Sequence, residues 1–136
     1  MLPHALPMRL VDEVVSIDPG REAVCRRRTQ PDDFFFQGHF PGNPVVPAIV
    51  LIELLAQTGG LAAGAPHPGE PAVPCALRVA AVDGFRFPAG CGADVTLEAS
   101  ARVAGRMGGL YKIEGTVTAD GVLVARGSLT LADVRR

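Results

Sequence analysis

At 136 residues the chain is long enough to bury one core, and a single domain over 1–136 is the expectation. The 13 Lys/Arg and 14 Asp/Glu leave a net charge of −1, which argues against a nucleic-acid binder working by bulk attraction to phosphate, while a local basic patch for an acidic partner stays allowed. Residues Met1 to Pro7 lack the basic and apolar regions of a secretion leader, so the chain is expected to remain in the cytoplasm.

The first elements are two β-type segments, Leu10 to Ile17 and Glu22 to Arg28, joined by the turn signal Asp18-Pro19-Gly20 into a predicted hairpin. Arg26-Arg27-Arg28 then reads as a strand end with outward charges. From Gln30 to Pro47, prolines at 31, 41, 44 and 47 and glycines at 38 and 42 predict a loop of set shape without a regular element.

Pro47 suits the first helical position, and Ala48 to Ala63 follow as good helix formers, with Gly59-Gly60 and then Gly64 as stop signals. Apolar residues surround this helix, which predicts enclosure by the rest of the protein. The longest apolar run, Val45 to Ala63, includes Glu53 and opens among prolines, so a buried helix is preferred to a membrane span. After a Pro/Gly-rich surface loop containing His67, four strands are predicted: Leu77 to Phe87, Asp94 to Val103, Leu110 to Ala119 and Val122 to Ala132. Asp120-Gly121 marks a tight hairpin, and the four strands read as a meander. The order predicts an α+β fold, one antiparallel sheet wrapped around one helix. Cys25, Cys75 and Cys91 have no CxxC spacing, which predicts free thiols and no metal site.

The chemistry is concentrated between Phe34 and Gln57. An imidazole, His39, stands in a proline-stiffened loop ahead of a helix start, and a carboxyl group, Glu53, lies inside an apolar helix. A buried carboxylate is costly unless paired or protonated, so Glu53 either reaches an edge, pairs with an arginine, or serves in proton transfer. Gln57, one helical turn on, is placed to orient it. Alone, His39 reads equally as a packed loop residue; beside Glu53 it completes what β-elimination needs. A base takes the proton next to a thioester carbonyl, an acid protonates the departing hydroxyl, and N–H groups at a helix start hold the developing oxyanion.

The run Gly38-His-Phe-Pro-Gly-Asn-Pro-Val-Val-Pro47, followed by Glu53 and Ala56-Gln57, resembles the signature of the bacterial 3-hydroxyacyl-acyl-carrier-protein dehydratases of the hotdog superfamily, including the 14-residue step from His39 to Glu53. Weaker echoes are Leu2-Pro-His-Ala-Leu-Pro7, Leu10-Val-Asp12 and Phe85-Arg-Phe-Pro88. The resemblance implies a hotdog fold working as a homodimer or trimer of dimers, with His39 of one chain facing Glu53 of its neighbour. It implies a carrier-protein thioester as substrate and no cofactor. It also implies His39 as base, Glu53 as acid or water-handling group, and the Ala48 N–H facing the thioester oxygen. Gly38, Phe40, Pro41, Gly42, Val46, Pro47 and Gln57 would complete the substrate site. A neutral imidazole and a protonated carboxyl acting together predict a bell-shaped pH profile.

The chain departs from the family pattern at Ala48, where glycine is usual, at Leu6, where an aromatic is common, and at Cys91-Gly-Ala-Asp94, in place of a Pro-Gly-Asp turn. A hotdog thioesterase and a non-catalytic acyl-binding subunit are the competing readings, since fold alone does not decide between them. His4 reads as a support for the loop or a capping residue. Arg26-Arg27-Arg28 is one candidate for a contact with the carrier protein, and Arg78, Arg86, Arg102 and Arg106 are alternative candidates for a carrier-docking rim.

Overall fold

Gly20, with φ +79°, and the Arg21 N–H donating to the Asp18 carbonyl at 2.9 Å turn β1 (Glu13–Asp18) into β2 (Glu22–Arg28). These positions come from a computed structural model, which describes residues 2–66, 68–70 and 76–134. The ladder begins at Glu13, three residues later than expected, because Leu10 and Val11, 2% and 7% exposed, enter the core instead of pairing. His67 and Cys75 lie outside the described residues.

The remaining strands are β3 (Leu77–Arg86), β4 (Thr96–Met107), β5 (Leu110–Ala119) and β6 (Val122–Asp133), and all six form one antiparallel sheet in the order β1-β2-β4-β5-β6-β3. The expected four-strand meander holds only for β4, β5 and β6. Their links are two-residue turns, Gly108-Gly109 and Asp120-Gly121, the second with φ of +47° and +85° as a type I′ turn requires. The connection 87–95 contains no such turn, and β3 therefore pairs with β6 at the far edge while β4 pairs with β2.

Helix α1 (Ala48–Gly64) lies against this sheet. Alternate residues point at it: Ala23 and Cys25 from β2, Leu97 and Ala99 from β4, Ile113 and Val117 from β5, and Leu129 and Leu131 from β6, all buried. Leu54 and Leu55 of the helix are fully enclosed, each contributing roughly 1.5–3 kcal/mol by leaving water. The helix runs straight through Gly59-Gly60, which sequence signals marked as a stop. A β-carbon on Gly59 would come 2.8 Å from Ile113 Cγ2, so the glycine is there to let helix and sheet approach. Enclosure is also incomplete at the first turn, where Ala48 is exposed and Ile49 is 74% exposed. The sheet of a single chain leaves that end of the helix uncovered.

Candidate active site

The loop from Gln30 to Pro47 contains one regular piece that the density of prolines had seemed to forbid, a 3₁₀ turn at Phe34–Phe36. It fits between Pro31 and Pro41, and it hands the chain on through the Phe36 carbonyl, which accepts the His39 N–H at 3.0 Å. Beyond it the chain forms a miniature hairpin. Phe40 and Asn43 exchange both backbone hydrogen bonds at 2.8 Å, and the corner is Pro41-Gly42 with Gly42 at φ +71°, as a type II turn demands. Gly38 also sits at a positive φ, +79°. These are the positions where the motif's glycines are indispensable.

His39 closes the base of this hairpin. Its carbonyl accepts the Val45 N–H at 2.9 Å, and its Nδ1 lies 3.0 Å from the Val45 carbonyl. A carbonyl only accepts, so Nδ1 carries the hydrogen, and in the neutral ring the lone pair is then on Nε2. Phe40 stacks on the ring, centroids 4.1 Å apart, which limits its rotation. The imidazole is half-buried.

From Val46 the chain passes into the helix. The buried Val46 N–H donates to the Cys91 carbonyl at 2.9 Å, tying the loop to the segment before β4. Pro47 caps α1, its carbonyl accepting from Val50 at 2.9 Å. The N–H groups of Ala48 and Ile49 stand in the first turn, where no preceding helical carbonyl exists to receive them, so they are placed to receive an anionic oxygen.

Glu53 is half-buried and has no ion pair among the described residues, which removes the expected alternative of an arginine partner. Its Oε2 receives a 3.4 Å contact from Gln57 Nε2. Gln57 is 2% exposed and does more than orient the carboxylate. Its Nε2 donates to the Met8 carbonyl at 2.7 Å and its Oε1 accepts from the Leu10 N–H at 2.9 Å, pinning the N-terminal segment over the helix. A cavity of about 310 Å³ opens beside Glu53, walled by His4, Gln57, Arg78, Val79 and Leu131 among others. His4 Nδ1 is buried there without a hydrogen-bond partner among the described residues.

His39 is not a wall of that cavity. Of the site residues named from sequence, Glu53 and Gln57 come together in it, while Gly38, His39, Phe40, Pro41 and Gly42 form the separate hairpin that leads through Val46 and Pro47 to Ala48. Among the docking candidates, only Arg78 stands at the cavity. Arg86 and Arg102 line a groove on the sheet, Arg102 paired with Glu114, and Arg106 lies over the Tyr111 ring at 5.1 Å. Arg27 is a correction: at 8% exposure it is buried, whereas Arg26 and Arg28 do point outward. The strand period shows why, because position 27 falls in register with the inward-facing Ala23 and Cys25.

A buried thiol adds little to this chemistry. Burial pushes the Cys25 thiol up, with a smaller opposing pull from its hydrogen bond with Thr58.

Comparison with known proteins identifies the family and the fold. The model of the FabA-like domain matches residues 2–128. The 3-hydroxyacyl-[acyl-carrier-protein] dehydratase FabZ of Roseiflexus castenholzii is 33% identical over 132 residues, covering 97% of this chain and 90% of the relative. The FabZ of Polynucleobacter necessarius is 35% identical over 132 residues, covering 97% and 87%. Among solved structures, a chain of the dehydratase heterocomplex ApeI:P from Xenorhabdus doucetiae superposes with a TM-score of 0.76 at 16% identity, over 97% of this chain and 87% of that one. The PaaI protein of E. coli does so with a TM-score of 0.68 at 18% identity, over 88% and 81%. The fold is therefore the hotdog, and the chain belongs to the FabA-like dehydratase family.

Proposed function

We propose that the protein removes water from a (3R)-3-hydroxyacyl thioester of acyl carrier protein to give the trans-2-enoyl thioester, in fatty-acid synthesis or a related acyl-chain pathway. The observation that carries the reading is the fixed tautomer of His39: a ring held through Nδ1 by Val45, with Nε2 left as a base, at the end of a stiff hairpin. Kinship with FabZ proteins over nearly the whole chain supports the substrate class.

In the elimination, His39 Nε2 takes the proton from C2 of the acyl chain. The electron pair of that bond forms the C2=C3 double bond, the C3–O bond breaks, and the leaving hydroxide takes a proton from the carboxyl of Glu53 to depart as water. Negative charge building on the thioester oxygen is met by the N–H groups of Ala48 and Ile49. No step needs an oxidant or a metal.

Because His39 and the cavity of Glu53 are separate within one chain, the site is completed by pairing the hairpin of one protomer with the cavity of another. The exposed apolar surface suits such a pairing. Edge strand β3 has no neighbour on one side among the described residues, and Val79 and Val82 on it, with Phe40 and Ile49 beside the site, are 44%, 48%, 51% and 74% exposed. A homodimer is the smallest assembly that satisfies this, and a trimer of dimers repeats it. No helix among the described residues is long and apolar enough to cross a membrane. Kinship with FabZ proteins, whose substrates are carrier-bound acyl chains, is what supports a cytoplasmic location for the reaction. Arg78, at the cavity, is positioned to meet the acidic carrier.

The test offers purified protein a series of (3R)-3-hydroxyacyl carrier-protein thioesters and identifies products by mass. An enoyl thioester is expected. Free acid and thiol would instead establish a thioesterase, and tight binding without product an acyl-binding subunit.

A further inference from the structure

We propose that Arg27 is a positioning residue, a buried guanidinium that sets the entry of the His39 hairpin and so the attitude of the imidazole during elimination. The inference rests on the dehydratase reading of His39.

Arg27 lies under the loop. Its Nη2 donates to Asp33 Oδ1 at 2.6 Å, and the Asp33 side chain is itself 12% exposed. Asp33 is the residue before the 3₁₀ turn and fixes it twice: its Oδ2 accepts the Gln30 N–H at 2.8 Å and its carbonyl accepts the Phe36 N–H at 3.1 Å. The Phe36 carbonyl in turn accepts the His39 N–H at 3.0 Å. Three hydrogen bonds, through Asp33 and Phe36, thus join the guanidinium to the residue that carries the base. The Arg27 guanidinium also lies over Phe35, 5.5 Å from the ring centre, so the turn is held by its backbone and by a side chain.

On the other side, Arg27 Nη1 reaches the carbonyls of Arg9 and Leu10 at 3.4 Å. This is the segment that Gln57 pins from below through Met8 and Leu10, beside Glu53. One planar fork therefore spans the N-terminal segment and the 3₁₀ turn that leads into the His39 hairpin, a geometry that a point-charge lysine matches poorly. Stability alone does not explain the group. A buried ion pair gains little over apolar packing, and Arg27 Nε is buried with no hydrogen-bond partner among the described residues, which subtracts further. What such a pair supplies is a single register between two segments.

The test compares Arg27→Lys with the charge-neutral pair Arg27→Met/Asp33→Asn, which avoids stranding one buried charge. Melting temperature, kcat and KM are measured, together with the imidazole 15N shifts of His39 in the ligand-free protein. The expected result for the double variant is kcat lowered about tenfold or more with KM within about twofold, as misplacement of a reacting group predicts. His39 nitrogen shifts should move away from the Nδ1–H tautomer, with Arg27→Lys intermediate. Wild-type kcat per folded protein with unchanged nitrogen shifts would overturn the proposal, whatever happens to the melting temperature. If the double variant does not fold, Arg27→Lys decides on the same shifts: displaced signals support the assignment and unchanged ones reject it. A wild-type protein that turned over no hydroxyacyl thioester would sink the dehydratase reading alone, since the shifts would still judge the role of Arg27.

Discussion

Gly92 lies against Pro44 so closely that a β-carbon on it would sit 2.9 Å from the Pro44 carbonyl oxygen. Gly92 also offers its carbonyl to the fully buried Thr29 hydroxyl at 3.0 Å, and the neighbouring Cys91 carbonyl takes the Val46 N–H. The segment where this chain departs from the family's Pro-Gly-Asp turn is thus the back wall of the His39 hairpin. Backbone meets backbone here, so an added methyl has no flexible side chain to push aside. Gly92→Ala should displace the hairpin and lower kcat by about tenfold or more while costing about 1–3 kcal/mol of stability. Steady-state kinetics beside urea unfolding check this; unchanged kcat would show that the wall does not bear on the base.

Gly59 offers a prediction whose sign has to be decided. In an open helix, Gly→Ala gains about 1 kcal/mol from propensity. Here the new methyl would meet Ile113 Cγ2 at 2.8 Å, and Ile113 is β-branched and fully enclosed, so overpacking of about 1–3 kcal/mol wins. Gly59→Ala should destabilise. The double change Gly59→Ala/Ile113→Ala should cost less than the two single changes added together, because the alanine at 113 removes both γ-carbons that clash. Denaturant unfolding of the four proteins measures the coupling.

The cysteines give a pH prediction. Burial holds the half-buried Cys91 thiol above the ordinary thiol range, and the Asp120 carboxylate adds to the rise. A raised value means less thiolate at neutral pH, so iodoacetamide should modify Cys91 slowly there and faster as pH climbs past the range of a free thiol. Asp120→Asn removes the smaller cause and should bring the midpoint down slightly. The fully enclosed Cys25 should resist throughout. Mass spectrometry in a Cys75→Ser background follows both sites. Rapid alkylation of Cys91 at neutral pH would contradict the burial argument.

Much of this architecture can be read from local signals. The helix start after Pro47, the two-residue turn at Asp120-Gly121 and the full extent of β5 follow from backbone chemistry confined to a few residues. What local signals miss is set by distant contacts. Gly59-Gly60 reads as a stop until Ile113 is known to press on it, and β3 reads as the start of a meander until β6 claims it. The burial of Arg27 was legible in principle, since Ala23, Cys25 and Arg27 share a strand face, but three consecutive arginines suggest solvent more loudly than parity suggests the core. The proposed catalytic pair is legible as residue types and spacing. Its division between the hairpin before the helix and a cavity beside the middle of the helix is a property of the folded chain.

That division is the central claim, and subunit mixing tests it most directly. His39→Ala and Glu53→Ala should each be inactive as homodimers. After exchange of subunits, about half the dimers are mixed, and each mixed dimer assembles one site with both groups intact, so dehydratase activity should return to about a quarter of wild type. Mixed dimers that form, as shown by native mass spectrometry, yet recover no activity would mean that His39 and Glu53 do not act together across two protomers.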